Sequence, residues 1–121
     1  MIVMSESIER QKSEHVTLST HVLNLGTGMP QRGLAVSLLN EDGDFLAKGI
    51  TDRSGRISEW GDITRLLPGT YRLRFLVGNE SSIANHFYPY IDIVFQLSGE
   101  QPHYHLPLLL NEFGYTTYRG S

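Results

Sequence analysis

A chain of 121 residues, 40% hydrophobic and 19% charged, has the size and composition of one globular domain able to bury a core without cross-links. The absence of cysteine excludes disulfides, thiol nucleophiles and thiolate metal sites, and leaves the redox compartment open. A net charge of −3 without a basic run argues against a nucleic-acid surface, and no apolar run approaches the roughly 20 residues of a membrane helix.

Met1-Ile2-Val3-Met4 gives way to a polar stretch through Glu14, with neither the basic start nor the long apolar segment of a secretory signal. Residues 1–15 therefore read as a polar N-terminal extension, residues 16–121 as the folded domain, and the cytoplasm as the expected location. From Val16 onward, alternation with a period of two replaces any helical period. Val16, Leu18, Thr20 and Val22 share one face of a first strand, which puts Thr17, Ser19, His21 and Leu23 on the other. A Gly/Pro-rich connection over residues 26–30 leads to a strand at 34–39. Glu41-Asp42-Gly43-Asp44 has hairpin-turn chemistry, since Asp-Gly accepts positive φ, and its partner strand runs to about residue 51. Asp52-Arg53-Ser54-Gly55 is another turn, before an extended stretch at 56–60. Residues 62–67 are expected to form one helical turn. The strand at 70–77 should point Tyr71, Leu73, Phe75 and Val77 inward and Arg72 and Arg74 toward water. A short helix is expected at 79–85, with strands at 90–97, 103–110 and 115–119. About eight short strands with turn signals every 8–12 residues or so indicate an all-β sandwich.

Of the five histidines, at 15, 21, 86, 103 and 105, the last two stand two apart on one strand and share a face. Zinc binding would need a third ligand that no nearby Cys or carboxylate supplies by spacing. Proton transfer suits imidazoles that titrate near about 6.5. Polar residues on an outward sheet face account for the same spacing, so the residues alone leave these readings open. His21 reads as a half-exposed strand histidine and Arg56 as a solvated cation after a turn. No Gly-Xaa-Ser-Xaa-Gly elbow or phosphate loop is present.

The ending of the chain is unusual for a terminus: His103-Tyr104-His105-Leu106-Pro107-Leu108-Leu109-Leu110, then Tyr118-Arg119-Gly120-Ser121. Termini are commonly frayed, whereas a phenol, a guanidinium, a glycine and a carboxylate after two histidines suggest an end built into a site. Residues 103–121 resemble the C-terminal signature of the 5-hydroxyisourate hydrolases, transthyretin-like enzymes of urate breakdown. Leu18-Ser19-Thr20-His21-Val22-Leu23-Asn24 and Thr51-Asp52-Arg53-Ser54-Gly55-Arg56 resemble two further blocks of that family, with Asp52 and Ser54 departing from its usual Asn and Asp.

The resemblance implies a transthyretin-like sandwich of two antiparallel sheets with one short helix, assembled as a homotetramer (a dimer of dimers) with sites in the channels between dimers. It implies hydrolysis of a small-molecule substrate, 5-hydroxyisourate, to 2-oxo-4-hydroxy-4-carboxy-5-ureidoimidazoline, without cofactor or metal. By the same resemblance His105 is the first choice to activate water. His21 and Arg56 would bind substrate and stabilise charge, Tyr118 would contact the ring, and Ser121 would orient a histidine or the water. The alternatives are a transthyretin-type carrier that binds a small ligand without catalysis, and an interaction domain that only bridges partners.

Overall fold

The computed structural model describes residues 15–79 and 87–121. Among them the strands are β1 (Thr17–Asn24), β2 (Met29–Pro30), β3 (Ala35–Asn40), β4 (Phe45–Ile50), β5 (Arg56–Ile57), β6 (Gly69–Phe75), β7 (Ile91–Leu97), β8 (His103–Leu110) and β9 (Tyr115–Thr117). They form two sheets. One runs β2-β1-β8-β9, with β5 also pairing to β1; the other runs β4-β3-β6-β7. Val77–Asn79 forms a single 3-10 turn. The helix expected over 79–85 lies outside the described residues apart from Asn79, as does the polar extension through residue 14.

The alternation read in the sequence is the physical cause of the sandwich. Along β1 buried and half-buried residues alternate without a break, so Leu18, Thr20, Val22 and Asn24 turn inward. Val36, Leu38, Leu73, Phe75, Ile91, Leu97, Leu106 and Leu108 meet them in the layer between the sheets. Truncating a fully buried leucine such as Leu108 to alanine should cost about 2–5 kcal/mol, because the cavity cannot fully collapse. Trp60 closes one end, its indole N–H donating to the Leu18 carbonyl at 2.9 Å.

The pairing of β1 with β8 is parallel, joining segments 86 residues apart with Thr17 opposite His103 and Ser19 opposite His105. It is held inside the core as well, where the buried Thr20 hydroxyl donates to the Leu106 carbonyl at 2.6 Å. Hydrogen-bond register, a long-range property, thus decides which outward side chains of the two strands meet.

Two local expectations are corrected. Residues 62–67 are not helical: Ile63 closes a tight turn onto the Trp60 carbonyl at 3.0 Å, and Leu66 exchanges two backbone hydrogen bonds of 2.7 Å with Val16. An isolated helical turn fixes several dihedrals for one hydrogen bond, whereas this bridge makes two and buries Leu66. Nor do Arg72 and Arg74 simply face water. Asp92 stands opposite Arg74 on β7 and accepts from its Nε at 2.8 Å and its Nη2 at 2.9 Å, while Arg72 Nη1 lies 3.5 Å from the same carboxylate.

Candidate active site

The outward face of the β1/β8 sheet gathers most of the side chains singled out above. His21 and Arg56 are register partners on β1 and β5. The His21 and His105 rings lie 6.4 Å apart between centroids, at an interplanar angle of 35°. Arg56, His21 and His105, separated widely in sequence, therefore share one surface.

Arg56 is delivered by its turn. Asp52 Oδ1 accepts from the Ser54 N–H at 2.8 Å and the Arg56 N–H at 3.0 Å, an Asx turn that closes the loop onto itself. The Arg56 backbone hydrogen bond, with help from the Arg56 and His21 charges, holds the Asp52 carboxyl below its ordinary pKa. Gly55 (φ 76°) is required here twice over: its conformation is left-handed, and a Cβ would stand 2.5 Å from the Val22 carbonyl oxygen. That close approach seats the turn on β1, where the Val22 N–H donates to the Gly55 carbonyl at 2.8 Å. No carboxylate is ion-paired with Arg56 among the described residues.

His105 is half-buried. Burial, followed by the positive charges of Arg56, His21 and His103, lowers its pKa from the ordinary value of 6.5. At neutral pH it is a neutral imidazole, the form a general base requires. Its Nδ1 lies 2.7 Å from Ser19 Oγ, which also lies 2.9 Å from His103 Nε2. His103 is exposed, and its Nδ1 lies 2.6 Å from Thr17 Oγ1.

The C-terminal segment reaches the same histidine through its backbone. Gly120 bridges to His105, donating its N–H to the His105 carbonyl at 2.8 Å. A Cβ at Gly120 would come 2.8 Å from His105 Cδ2, so glycine lets the chain lie flat against the imidazole. Ser121 follows directly and is exposed. Tyr118, 55% exposed, lines a cavity of about 290 Å³ with His105, Thr117 and Arg119. Arg56 lines a different hollow of about 370 Å³ with Asp52 and Glu59. The face thus brings His21, Arg56 and His105 together, while Tyr118 and Ser121 stand at its margin.

Among the described residues no group of three or more His, Asp or Glu side chains is placed to hold a metal ion. Ser19, Thr17 and Gly120 were given no role from the sequence, and Asp52 only a place in a turn. Alternation put Thr17 and Ser19 on the face of His21, but only the β1–β8 register sets them against the two histidines.

The HIUase/Transthyretin family matches residues 18–120 of the chain. The 5-hydroxyisourate hydrolase of Salmonella dublin is 41% identical over 109 residues, covering 86% of this chain and 80% of the relative. Among solved structures, the 5-hydroxyisourate hydrolase of Klebsiella pneumoniae superposes with a TM-score of 0.73 at 36% identity, over 88% of this chain and 99% of that one. Sea bream transthyretin in complex with thyroxine superposes with a TM-score of 0.73 at 28% identity, over 86% and 94%. With this fold, this face and these matches, the chain belongs to the HIUase/Transthyretin family.

Proposed function

We propose that this protein hydrolyses 5-hydroxyisourate to 2-oxo-4-hydroxy-4-carboxy-5-ureidoimidazoline. The observation that carries the reading is the convergence on one face of a neutral, half-buried His105, a second imidazole at His21 and the Arg56 guanidinium, which has no ion-paired carboxylate among the described residues. Names of relatives in enteric bacteria and animals point to the same reaction.

Ring opening needs a base for water, a proton for the departing nitrogen and positive charge for the developing oxyanion. His105 takes the proton from water as the hydroxide adds to a ring carbonyl. Arg56 holds the polar ring and stabilises the oxyanion with a planar fork that lysine lacks. The C–N bond then breaks, and the nitrogen receives a proton from the histidine pair, returning it to its starting state. His21 binds the ring and assists this transfer, Tyr118 contacts the substrate, and Ser121 orients the water or a histidine. The mechanism uses no metal, so a chelator-treated sample should keep its rate; rescue of a silenced sample by zinc would replace the proton-transfer role.

The reading extends to assembly and place. Strands β7 and β9 are sheet edges whose backbone groups suit pairing between copies. A homotetramer of two dimers would close the open face, bringing the separate Arg56 and Tyr118 hollows into a channel. Light scattering coupled to size exclusion tests the assembly, and cell fractionation tests the expected cytoplasmic location. Residues 16–121 are taken as the functional unit, with 1–15 outside it.

The direct test uses 5-hydroxyisourate generated freshly by urate oxidase. Its near-ultraviolet absorbance should decay faster with the protein than without it. Equal decay, combined with retention of a small aromatic ligand, would instead support a carrier of the transthyretin type.

A further inference from the structure

We infer that Ser19, backed by His103 and Thr17, is a positioning residue that fixes which ring nitrogen of His105 carries the proton. The inference rests on the proposed hydrolysis, since it states how the base of that reaction is held.

Thr17 and Ser19 stand two apart on β1, His103 and His105 two apart on β8, and the parallel register sets the pairs side by side. One continuous row results: Thr17 Oγ1 lies 2.6 Å from His103 Nδ1, His103 Nε2 2.9 Å from Ser19 Oγ, and Ser19 Oγ 2.7 Å from His105 Nδ1. A hydroxyl has one proton to donate and a neutral imidazole one N–H. With both imidazoles neutral, the protons along the row must all point the same way.

In one direction His105 Nδ1–H donates to Ser19, the Ser19 hydroxyl to His103 Nε2, and His103 Nδ1–H to Thr17. The Thr17 hydroxyl is then free to donate to the Pro102 carbonyl at 3.4 Å. In the other direction Thr17 must donate to His103, the contact with Pro102 is lost, and His105 Nδ1 becomes an acceptor. A carbonyl can only accept, and Pro102 is held in place by the Thr17 N–H at 3.0 Å. It selects the first direction, in which every contact of the row is a hydrogen bond.

The consequence falls on the far side of the His105 ring. With the proton on Nδ1, the lone pair is on Nε2, the nitrogen away from the Ser19 hydroxyl. A neutral imidazole with a free Nε2 is the tautomer that can accept a proton from water; the opposite tautomer offers an N–H there and cannot. The titratable and charged side chains around this ring are His21 on β1, Arg56 on β5, His103 on β8 and Arg119 of the C-terminal segment.

The test combines spectroscopy with kinetics. In protein labelled at the histidine ring nitrogens, long-range proton–nitrogen NMR of the parent should show His105 protonated at Nδ1. In Ser19→Ala that signature should be lost, and kcat should fall by up to about 100-fold with KM nearly unchanged, as for a catalytic group held out of its productive geometry. Ser19→Thr, whose β-branched side chain suits a strand, should restore the tautomer and most of the rate. If Ser19→Ala does not fold, Thr17→Val cuts the row at its anchored end and should weaken the Nδ1–H signature in the same direction. A parent with His105 protonated at Nε2, or a Ser19→Ala variant with parental tautomer and kcat, would overturn the inference. An Nδ1–H signature in a parent without turnover would sustain the positioning and overturn the hydrolase reading, so the two failures are distinguishable.

Discussion

Both sheets carry cationic side chains on their outward faces, and they treat them in opposite ways. On the β6/β7 face, Asp92 accepts two hydrogen bonds from Arg74 and lies within 3.5 Å of Arg72, while Arg74 also sits 4.5 Å over the Tyr90 ring. The two arginines share one carboxylate there, which partly offsets their charge, and they act as struts. On the β1/β8 face, Arg56 and the His21/His105 pair converge with no ion-paired carboxylate among the described residues. The His103 and His105 rings there contact hydroxyls, which orient an imidazole without adding a charge. A face whose arginines are tied to a carboxylate holds a fold together; one that gathers a guanidinium and imidazoles with no ion-paired carboxylate among the described residues suits an anionic or polar ligand.

The largest test of this contrast is at the histidines. His105→Asn and His21→Asn should each lower turnover by about 10²–10⁴ while leaving the thermal midpoint near the parental value. Combined, they should be scarcely worse than the worse single variant, because residues acting in one step are not additive. Full additivity would separate their roles. Next comes Arg56→Ala, with an expected loss of about 10²–10³, the range for removing one oxyanion donor. Arg56→Lys should lose less, and a lysine variant equal to the parent would reduce the role to diffuse charge.

Gly120→Ala probes the backbone contact. Its methyl group must displace the His105 ring, and a misplacement of about 1 Å can cost up to about 100-fold in kcat. Unchanged kinetics would mean that the C-terminal segment is not pressed against the base. A subtler effect lies in the pH profile. Burial and the surrounding positive charges favour neutral His105, so protonation needs a pH below 6.5. The acid limb of kcat/KM should accordingly lie below 6.5, with activity lost as pH falls through it. A limb well above that value would assign the base elsewhere. The smallest effect on turnover belongs to the other face. Asp92→Ala should leave the rate unchanged and lower stability by about 1 kcal/mol, as for a partly exposed ion pair. Loss of turnover there would erase the distinction between the faces.

Much of this was legible in the chain. Alternation along residues 16–23 and 70–77 identified buried faces that the structure contains, because a period of two leaves one side of a strand apolar whatever its neighbours are. His21, Arg56 and His105 were named through family resemblance, and the fold places them on one face. Ser19 and Thr17 were visible on that face but had no assigned partner. The struts at Arg72 and Arg74 were misread as solvated because their partner, Asp92, comes from a separate strand. The turn at 62–67 was misread because Leu66 gains its hydrogen bonds from Val16, far upstream.

The sequence by itself determined the local chemistry: which faces are apolar, where Asp52 and Gly55 turn the chain, and which side chains carry protons or charge. Those properties depend on side-chain type and short spacing. Tertiary structure decided which of these groups meet. The parallel pairing of β1 with β8 sets Ser19 beside His105, and β5 sets Arg56 beside His21. Such register follows from burying the two apolar faces against each other across dozens of residues. A shift of one residue would turn the same histidines into the core, so the site exists only when the whole sandwich has closed.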